Sequence, residues 1–188
     1  MKIYTRAGDD GTTGLLYGGR VAKDSELPTA YGTVDEAQAV LGLARAETGE
    51  GSELDGLLTG LARDLWVLMA ELATDPANHH KLTPGKSRVT AEMVTALEER
   101  IDDIGGRFGA PTEFVVPGQN RLSALLDLAR TVVRRAERHT LAAVAGSSVG
   151  SDGSHAVAYL NRLSDLLWIL ARWQEDHSLT TRSIGGTA

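Results

Sequence analysis

The stretch Leu122–Ala145, LSALLDLARTVVRRAERHTLAAVA, decides the fold. Its residues Leu122, Leu126, Ala129, Val133 and Ala136 recur at three- and four-residue steps, the spacing of one buried face of a helix. Arg130, Arg134 and Arg138 form a second row at i, i+4 and i+8. At about 100° per residue that row lies about 120° from the centre of the apolar stripe, and Glu137 falls at the seam between them. Two readings fit such a row. One is a solvated basic face with local pairs such as Asp127 with Arg130. The other is a guanidinium row, flanked by a carboxylate at the core boundary, that faces a polyphosphate. Arginine suits the second task because its planar fork grips phosphate oxygens two at a time and keeps its charge.

The segments on either side follow the same helical rhythm. Thr33 and Glu36 have the spacing of a capping box and predict a first helix that starts at Thr33, with Val34, Ala37, Leu41 and Ala44 inward and Asp35 in its first turn. Leu54, Leu58, Leu61, Leu65, Leu68 and Leu72 keep a heptad rhythm and predict a second helix packed in a bundle. A loop, ATDPANHHKLTPGKS, leads to a third helix capped by Thr90, with Met93, Leu97, Ile101 and Ile104 inward and Gly105-Gly106 as its stop. After a non-helical stretch containing GAPTEFVVPGQN, Leu122–Ala145 forms the fourth helix. The polar turn GSSVGSDGS leads to the fifth, from Ala156 to about Glu175, with Leu160, Leu163, Leu167 and Leu170 inward and Asn161, Asp165 and Arg172 on the other side. The pattern predicts one all-α domain over residues 1–188, a five-helix antiparallel bundle of the ferritin-like kind. It divides into an N-terminal loop (1–32), the bundle (33–175) and a flexible tail (176–188).

Composition narrows the function classes. A chain of 188 residues with 42% hydrophobic content has room for one substantial core. Its net charge of −6 argues against a general nucleic-acid binder, so the arginine row is a local feature in an acidic background. The absence of cysteine excludes disulfides and thiolate metal sites. The start, MKIYTRAGDDG, has no signal-peptide core and no run reaches the length of a membrane span, which predicts a cytoplasmic protein with no membrane partner. Residues 1–32 carry Gly8, Gly11, Gly14, Gly18 and Gly19, the hydroxyls of Thr5, Thr12, Thr13 and Ser25, and basic Arg6 and Lys23. Such a stretch is either a plain loop or a phosphate cradle, for which it has free backbone N–H groups, hydroxyl donors and positive charge.

Three other motifs lead nowhere. Gly146-Ser147-Ser148-Val149-Gly150 has the spacing of a nucleophile elbow but follows a helix, where the elbow needs a strand. Pro84-Gly85-Lys86-Ser87 resembles the end of a phosphate-binding loop, yet His80 stands where the first glycine belongs. His79-His80 has no companions at ligand spacing and no Glu-x-x-His occurs, so the sequence predicts no protein-held metal.

Four blocks, taken together, are specific. They are Tyr4-Thr5-Arg6-Ala7-Gly8-Asp9-Asp10-Gly11-Thr12-Thr13, Tyr31-Gly32-Thr33-Val34-Asp35-Glu36, Ala129-Arg130 through Arg134-Arg135-Ala136-Glu137-Arg138, and Tyr159-Leu160-Asn161-Arg162-Leu163-Ser164-Asp165-Leu166-Leu167. In order and spacing the chain resembles the PduO-type ATP:cob(I)alamin adenosyltransferases, the corrinoid adenosyltransferases, over nearly its whole length. The resemblance implies a homotrimer with active sites between subunits. It implies transfer of the 5′-deoxyadenosyl group of ATP, carried with Mg²⁺, to reduced cobalamin, with release of tripolyphosphate. A reductase and an adenosylcobalamin-dependent acceptor enzyme are the implied partners.

Carried over residue by residue, Thr5, Arg6, Ala7, Gly8, Thr13, Gly14 and Lys23 match the nucleotide-wrapping loop. Arg134, Arg135, Glu137 and Arg138 match the phosphate- and nucleoside-holding positions, and Asn161 a contact from the last helix. Asp35 and Arg130 match a salt bridge across the subunit interface, and Phe114 the aromatic that crowds the lower face of cobalamin. The chain departs from the family's common pattern at Asp10 (basic in many relatives), Gln38, Gln119 and Trp168. The alternative function is a non-catalytic nucleotide- or cobalamin-binding carrier or regulator, and a third reading is a structural trimer with a solvated arginine face.

Overall fold

In the computed structural model, which describes residues 3–145 and 153–185, five long helices carry the fold. They are α1 (Glu26–Ala46), α2 (Glu53–Leu72), α3 (Ala91–Gly105), α4 (Arg121–Ala145) and α5 (Ala156–Trp173). The predicted apolar stripes face one core. All six heptad leucines of α2 are buried, as are Val34, Ala37, Leu41 and Ala44 of α1 and Leu126, Ala129, Val133 and Ala136 of α4. Leu122, Met93 and Ile101 are partly buried against that core. Thr90 caps α3 by accepting from Met93 N at 3.4 Å, and Asn120 caps α4 by accepting from Ser123 N at 2.8 Å.

Successive helices reverse direction. Glu36 pairs with Arg135, Thr33 with His139 and Glu47 with Arg121, so α4 runs back along α1. Arg45 meets Asp55 at 2.7 Å across the α1–α2 corner. Glu137 meets Asn161 and Asp127 meets Arg172, so α5 runs back along α4. α3 and α5 pack side by side and point the same way, with Gly105 beside Ile169 and Arg107 over the Trp173 ring. The bundle thus has one end with the starts of α1, α3 and α5, and an opposite end with the starts of α2 and α4.

Buried polar groups lock the first of these ends. Glu71, 2% exposed, accepts from Val89 N and from Ser154 Oγ, each at 2.6 Å, and so ties the end of α2 to the entries of α3 and α5. Tyr159 is fully buried and donates its hydroxyl to Asp64 at 2.9 Å. Burial, reinforced by the Asp64 charge, pushes its ionisation well above the usual tyrosine range. At the centre, Leu65 is completely buried. Leu65→Ala is expected to lower stability by about 3 kcal/mol, a loss of transfer energy plus a cavity, read as a shifted urea midpoint at constant slope.

The structure corrects four expectations. α1 begins at Glu26 rather than Thr33, so the N-terminal loop ends at Ser25. Pro28 sits in the first turn, where its missing N–H costs nothing. Thr33 does not cap: its hydroxyl donates to Thr29 O at 2.7 Å, the back-bond of a mid-helix threonine. Second, the N-terminal segment contains a hairpin, β1 (Thr12–Gly14) against β2 (Arg20–Ala22), antiparallel with Thr13 opposite Val21. Third, Arg172 is not on a solvated face; it is 2% exposed. Its place on the helical wheel is the polar one, but Asp127 of α4, Glu175 and the Trp168 ring close around its guanidinium. Fourth, the stretch after residue 175 is partly structured: Leu179–Thr180 pairs with Val115–Val116, and a short helix α6 (Thr181–Gly185) follows. The loop after α2 also holds a 3₁₀ turn, Pro76–Lys81. Gly146–Asp152, with the Gly-x-Ser-x-Gly motif, lie outside the described residues.

Candidate active site

The N-terminal hairpin is a loop built around one arginine. Arg20 donates to Ala7 O at 2.6 Å and to Thr12 Oγ1 at 3.0 Å through Nε, which folds the Thr5–Gly11 segment over β1. Asp10 accepts from Thr12 N at 2.9 Å and from Thr12 Oγ1 at 2.8 Å. Those bonds, the backbone one first, hold the Asp10 carboxyl below its ordinary range, with Arg20 adding a weaker pull at 3.6 Å. The acidic departure at position 10 therefore serves an Asx turn. Arg6 adopts φ +63, the left-handed region that a non-glycine residue enters only where the surrounding loop demands it. The hairpin tip is tied to the body by Leu16 N, which donates to Ala73 O at 2.7 Å at the end of α2.

Gly8 is required by space. A Cβ there would stand 3.0 Å from Thr12 O and 3.0 Å from Lys23 Nζ. The lysine head can swing away, but the carbonyl cannot. Gly8→Ala is expected to loosen the hairpin about tenfold, or about 1.4 kcal/mol, read as faster amide exchange at the bonded Thr12 and Lys23 N–H groups, while the global unfolding midpoint barely moves because the hairpin lies outside the core.

Arg134 and Arg138 stand exposed on α4, Arg138 donating to Arg134 O at 3.0 Å. Arg135 is engaged by Glu36. Glu137 accepts from Asn161 Nδ2 at 3.0 Å, which brings the predicted residues of α4 and α5 together at the seam, and Arg162 donates to the Asn161 side-chain oxygen. Among the described residues, none of Thr5, Arg6, Gly8, Thr13 or Lys23 bonds to Arg134, Arg135, Glu137 or Arg138. Asp35 is exposed and does not pair with Arg130, whose Nε instead donates to Asp127 at 3.1 Å. The structure therefore assembles the site in separate pieces within one chain.

At the opposite end of the bundle, Phe114 is 85% exposed. The other phenylalanine, Phe108, packs against the core. Phe114 rims a cleft of about 510 Å³ whose walls include Val115, Asp127, Arg130, Trp168 and Arg172. Its loop is held by backbone pairing, Thr181 N donating to Phe114 O at 3.0 Å and Val116 N to Leu179 O at 2.8 Å, and by Arg182 with Glu113 at 2.9 Å. Gly118, at φ +108, turns the chain from this loop into α4.

The chain matches the family model described as cobalamin adenosyltransferase over residues 3–174. It belongs to the cobalamin adenosyltransferase family. It is 43% identical over 174 residues to a corrinoid adenosyltransferase from Citrobacter freundii, covering 93% of this chain and 95% of that one. It is 37% identical over 174 residues to the corrinoid adenosyltransferase of Bacillus subtilis, covering 92% and 86%. Among solved structures it is similar to a Phe-to-His variant of the PduO-type ATP:corrinoid adenosyltransferase from Lactobacillus reuteri complexed with cobalamin and ATP. That match has a TM-score of 0.84 and 27% identity and covers 96% of this chain and 97% of that one.

Two features of this cobalamin adenosyltransferase site escape sequence reasoning. Arg20 carries the hairpin, yet in the sequence it is one arginine after a glycine pair; it stands opposite Gly14 and reaches diagonally to Thr12, a contact with no local signature. The Asp127–Arg172 pair spans two helices and has no local signature.

Proposed function

We propose that this family member transfers the 5′-deoxyadenosyl group of ATP to cob(I)alamin through the residues assembled along α4. One observation carries the reading. The arginine row and Glu137 lie on α4, with Asn161 of the neighbouring α5 bonded to Glu137, between a glycine- and threonine-rich hairpin at one end of the bundle and the exposed Phe114 beside a cleft at the other. At about 1.5 Å per residue, Arg130 to Arg138 spans about 12 Å, a reach that fits a triphosphate and its C5′ next to a corrin.

In this reading Thr5, Arg6, Ala7, Gly8, Thr13, Gly14 and Lys23 enclose the nucleotide. Arg134 and Arg138 neutralise the phosphates, Glu137 and Asn161 orient the nucleoside, and Mg²⁺ travels on the phosphate oxygens and water. Cobalt(I) supplies both electrons of the new cobalt–carbon bond as it attacks C5′. The C5′–oxygen bond breaks, and its electrons leave with tripolyphosphate. No general base is needed, so the protein's task is alignment and charge neutralisation. In the same reading Phe114 crowds the lower face of the corrin and makes cobalt easier to reduce, a role its exposure at the rim of the cleft supports.

The reading includes a homotrimer. Asp35 and Arg130 remain apart within one chain, and Leu43, Leu128 and Leu141 expose apolar surface on α1 and α4, which suits a second copy that brings the hairpin to the arginine row. The test is anaerobic: protein, Mg-ATP and chemically reduced cobalamin are mixed, the corrin spectrum is followed and tripolyphosphate is assayed. Adenosylcobalamin and tripolyphosphate should appear in equal amounts. ATP binding without turnover would instead make the protein a carrier.

A further inference from the structure

Arg130 has an anchor that reaches into the core. Its pairing with Asp127, one turn earlier on α4, would be weak and mobile if both groups were solvated. Here the Asp127 side chain is 7% exposed, and its second oxygen, Oδ2, accepts from Arg172 Nη2 at 2.6 Å. Arg172 is itself immobilised: its side chain is 2% exposed, its Nη2 also meets Glu175 Oε1 at 2.9 Å, and its guanidinium lies 5.8 Å from the Trp168 ring centre. The Glu175 side chain is 0% exposed and accepts from Ser178 Oγ at 2.8 Å. Rotation of Asp127 would cost the buried Arg172 one of its two carboxylate partners, the shorter of the pair, so its Oδ1 is a fixed acceptor.

That fixed acceptor takes Arg130 by Nε, at 3.1 Å, and by nothing else. The two terminal nitrogens of Arg130 bond no group among the described residues, on a side chain 28% exposed at the wall of the Phe114 cleft. A guanidinium held at Nε has its orientation set and its fork left open, which is how a planar donor is preorganised.

We propose that Asp127 is a positioning residue for the reaction: backed by Arg172, it clamps Arg130 by Nε so that the fork is held ready for Asp35 of a neighbouring copy at the wall of the Phe114 cleft, on the corrin side of the site. The inference rests on the transferase reading above. It assigns Asp127 no contact with substrate and no role toward ATP.

The experiment is a double-mutant cycle on the full chain with saturating Mg-ATP and varied reduced cobalamin, then the converse. Asp127→Asn is expected to lower kcat/KM for the corrin about tenfold and to change the KM for ATP by less than about twofold. In an Arg130→Ala background the same substitution should change nothing further. Arg172→Gln should reproduce the corrin defect in weaker form and also lose its effect without Arg130. If Asp127→Asn unfolds because Arg172 loses one of its two carboxylates, Asp127→Asn with Arg172→Gln and Glu175→Gln removes all three buried charges and is measured in the same cycle. A loss that persists in the Arg130→Ala background, or one that falls equally on ATP and corrin, overturns the proposal in favour of a structural role. Absence of adenosyl transfer by the parent protein would overturn the transferase reading itself, an outcome the cycle separates from the other two.

Discussion

Arg134→Ala is expected to lower adenosyl transfer about 10³-fold, about 4 kcal/mol of transition-state stabilisation, with the bundle still folded. The size of the effect follows from what the reaction asks of the protein. The nucleophile is strong and the leaving group is a polyanion, so the barrier falls mainly where charge accumulates on the departing phosphates. Arg134 is exposed on the outer face of α4; among the described residues its guanidinium bonds no group, and its backbone oxygen accepts from Arg138 Nη1. Truncating it opens no cavity and strands no buried partner, so the cost in stability should stay within about 0.5 kcal/mol. Arg134→Lys keeps the charge but loses the bidentate fork and should fall between parent and alanine. Turnover and thermal unfolding measured on the same preparations decide the matter. An alanine variant that transfers adenosyl groups at the parent rate would remove Arg134 from the phosphate site.

The bundle was legible because its evidence is local and repeated. The six leucines of α2 and the stripe of α4 each report the same buried face several times over, and the structure buries them. Helix boundaries were less legible where a local signal had a second meaning. Thr33 and Glu36 carry the spacing of a cap, but Ala30, Val34 and Ala37 are all fully buried, and that packing continues the helix back through Gly32 to Glu26. The hairpin escaped because two three-residue strands have too little length for an alternating pattern, and its order comes from Arg20 reaching across to Ala7 and Thr12.

The site divides along the same line. Glu137 and Asn161 belong to different helices, yet the structure brings them to 3.0 Å: Glu137 sits at the seam its phase reports, and Asn161, whose phase marks the side away from the leucines, is half-buried beside it. Arg172 shows the limit of that argument. Its phase marks a polar face, and a helical wheel cannot know that an acidic pair and an indole ring will close over it. Burial of a charge depends on the tertiary partners that compensate it, here Asp127 and Glu175, 45 and three residues away.

Phe114→Ala should separate reduction from transfer. Among the large apolar residues the chain leaves exposed, Phe114 is 85% exposed on a loop whose backbone is independently pinned by Thr181 and Leu179, so its removal should neither unfold the loop nor open the core. An aromatic ring kept in water at the rim of a cleft forgoes about 2 kcal/mol of burial, a cost that makes sense where a large ligand covers it. If the ring crowds the lower axial side of the corrin, it acts by keeping the nucleotide base off cobalt, and the missing ligand makes cobalt(II) easier to reduce. The variant, started from cob(II)alamin with its base attached, is then expected to lose about 10²-fold in rate, about 2.7 kcal/mol. With a base-lacking corrin there is nothing to displace, and the loss should shrink to a fewfold contact effect. Starting from cobalt(I) already reduced in bulk should also restore most of the rate, since the assisted step has been bypassed. Equal losses with the two corrins would mean that Phe114 serves only to hold the substrate, and the displacement role would be withdrawn.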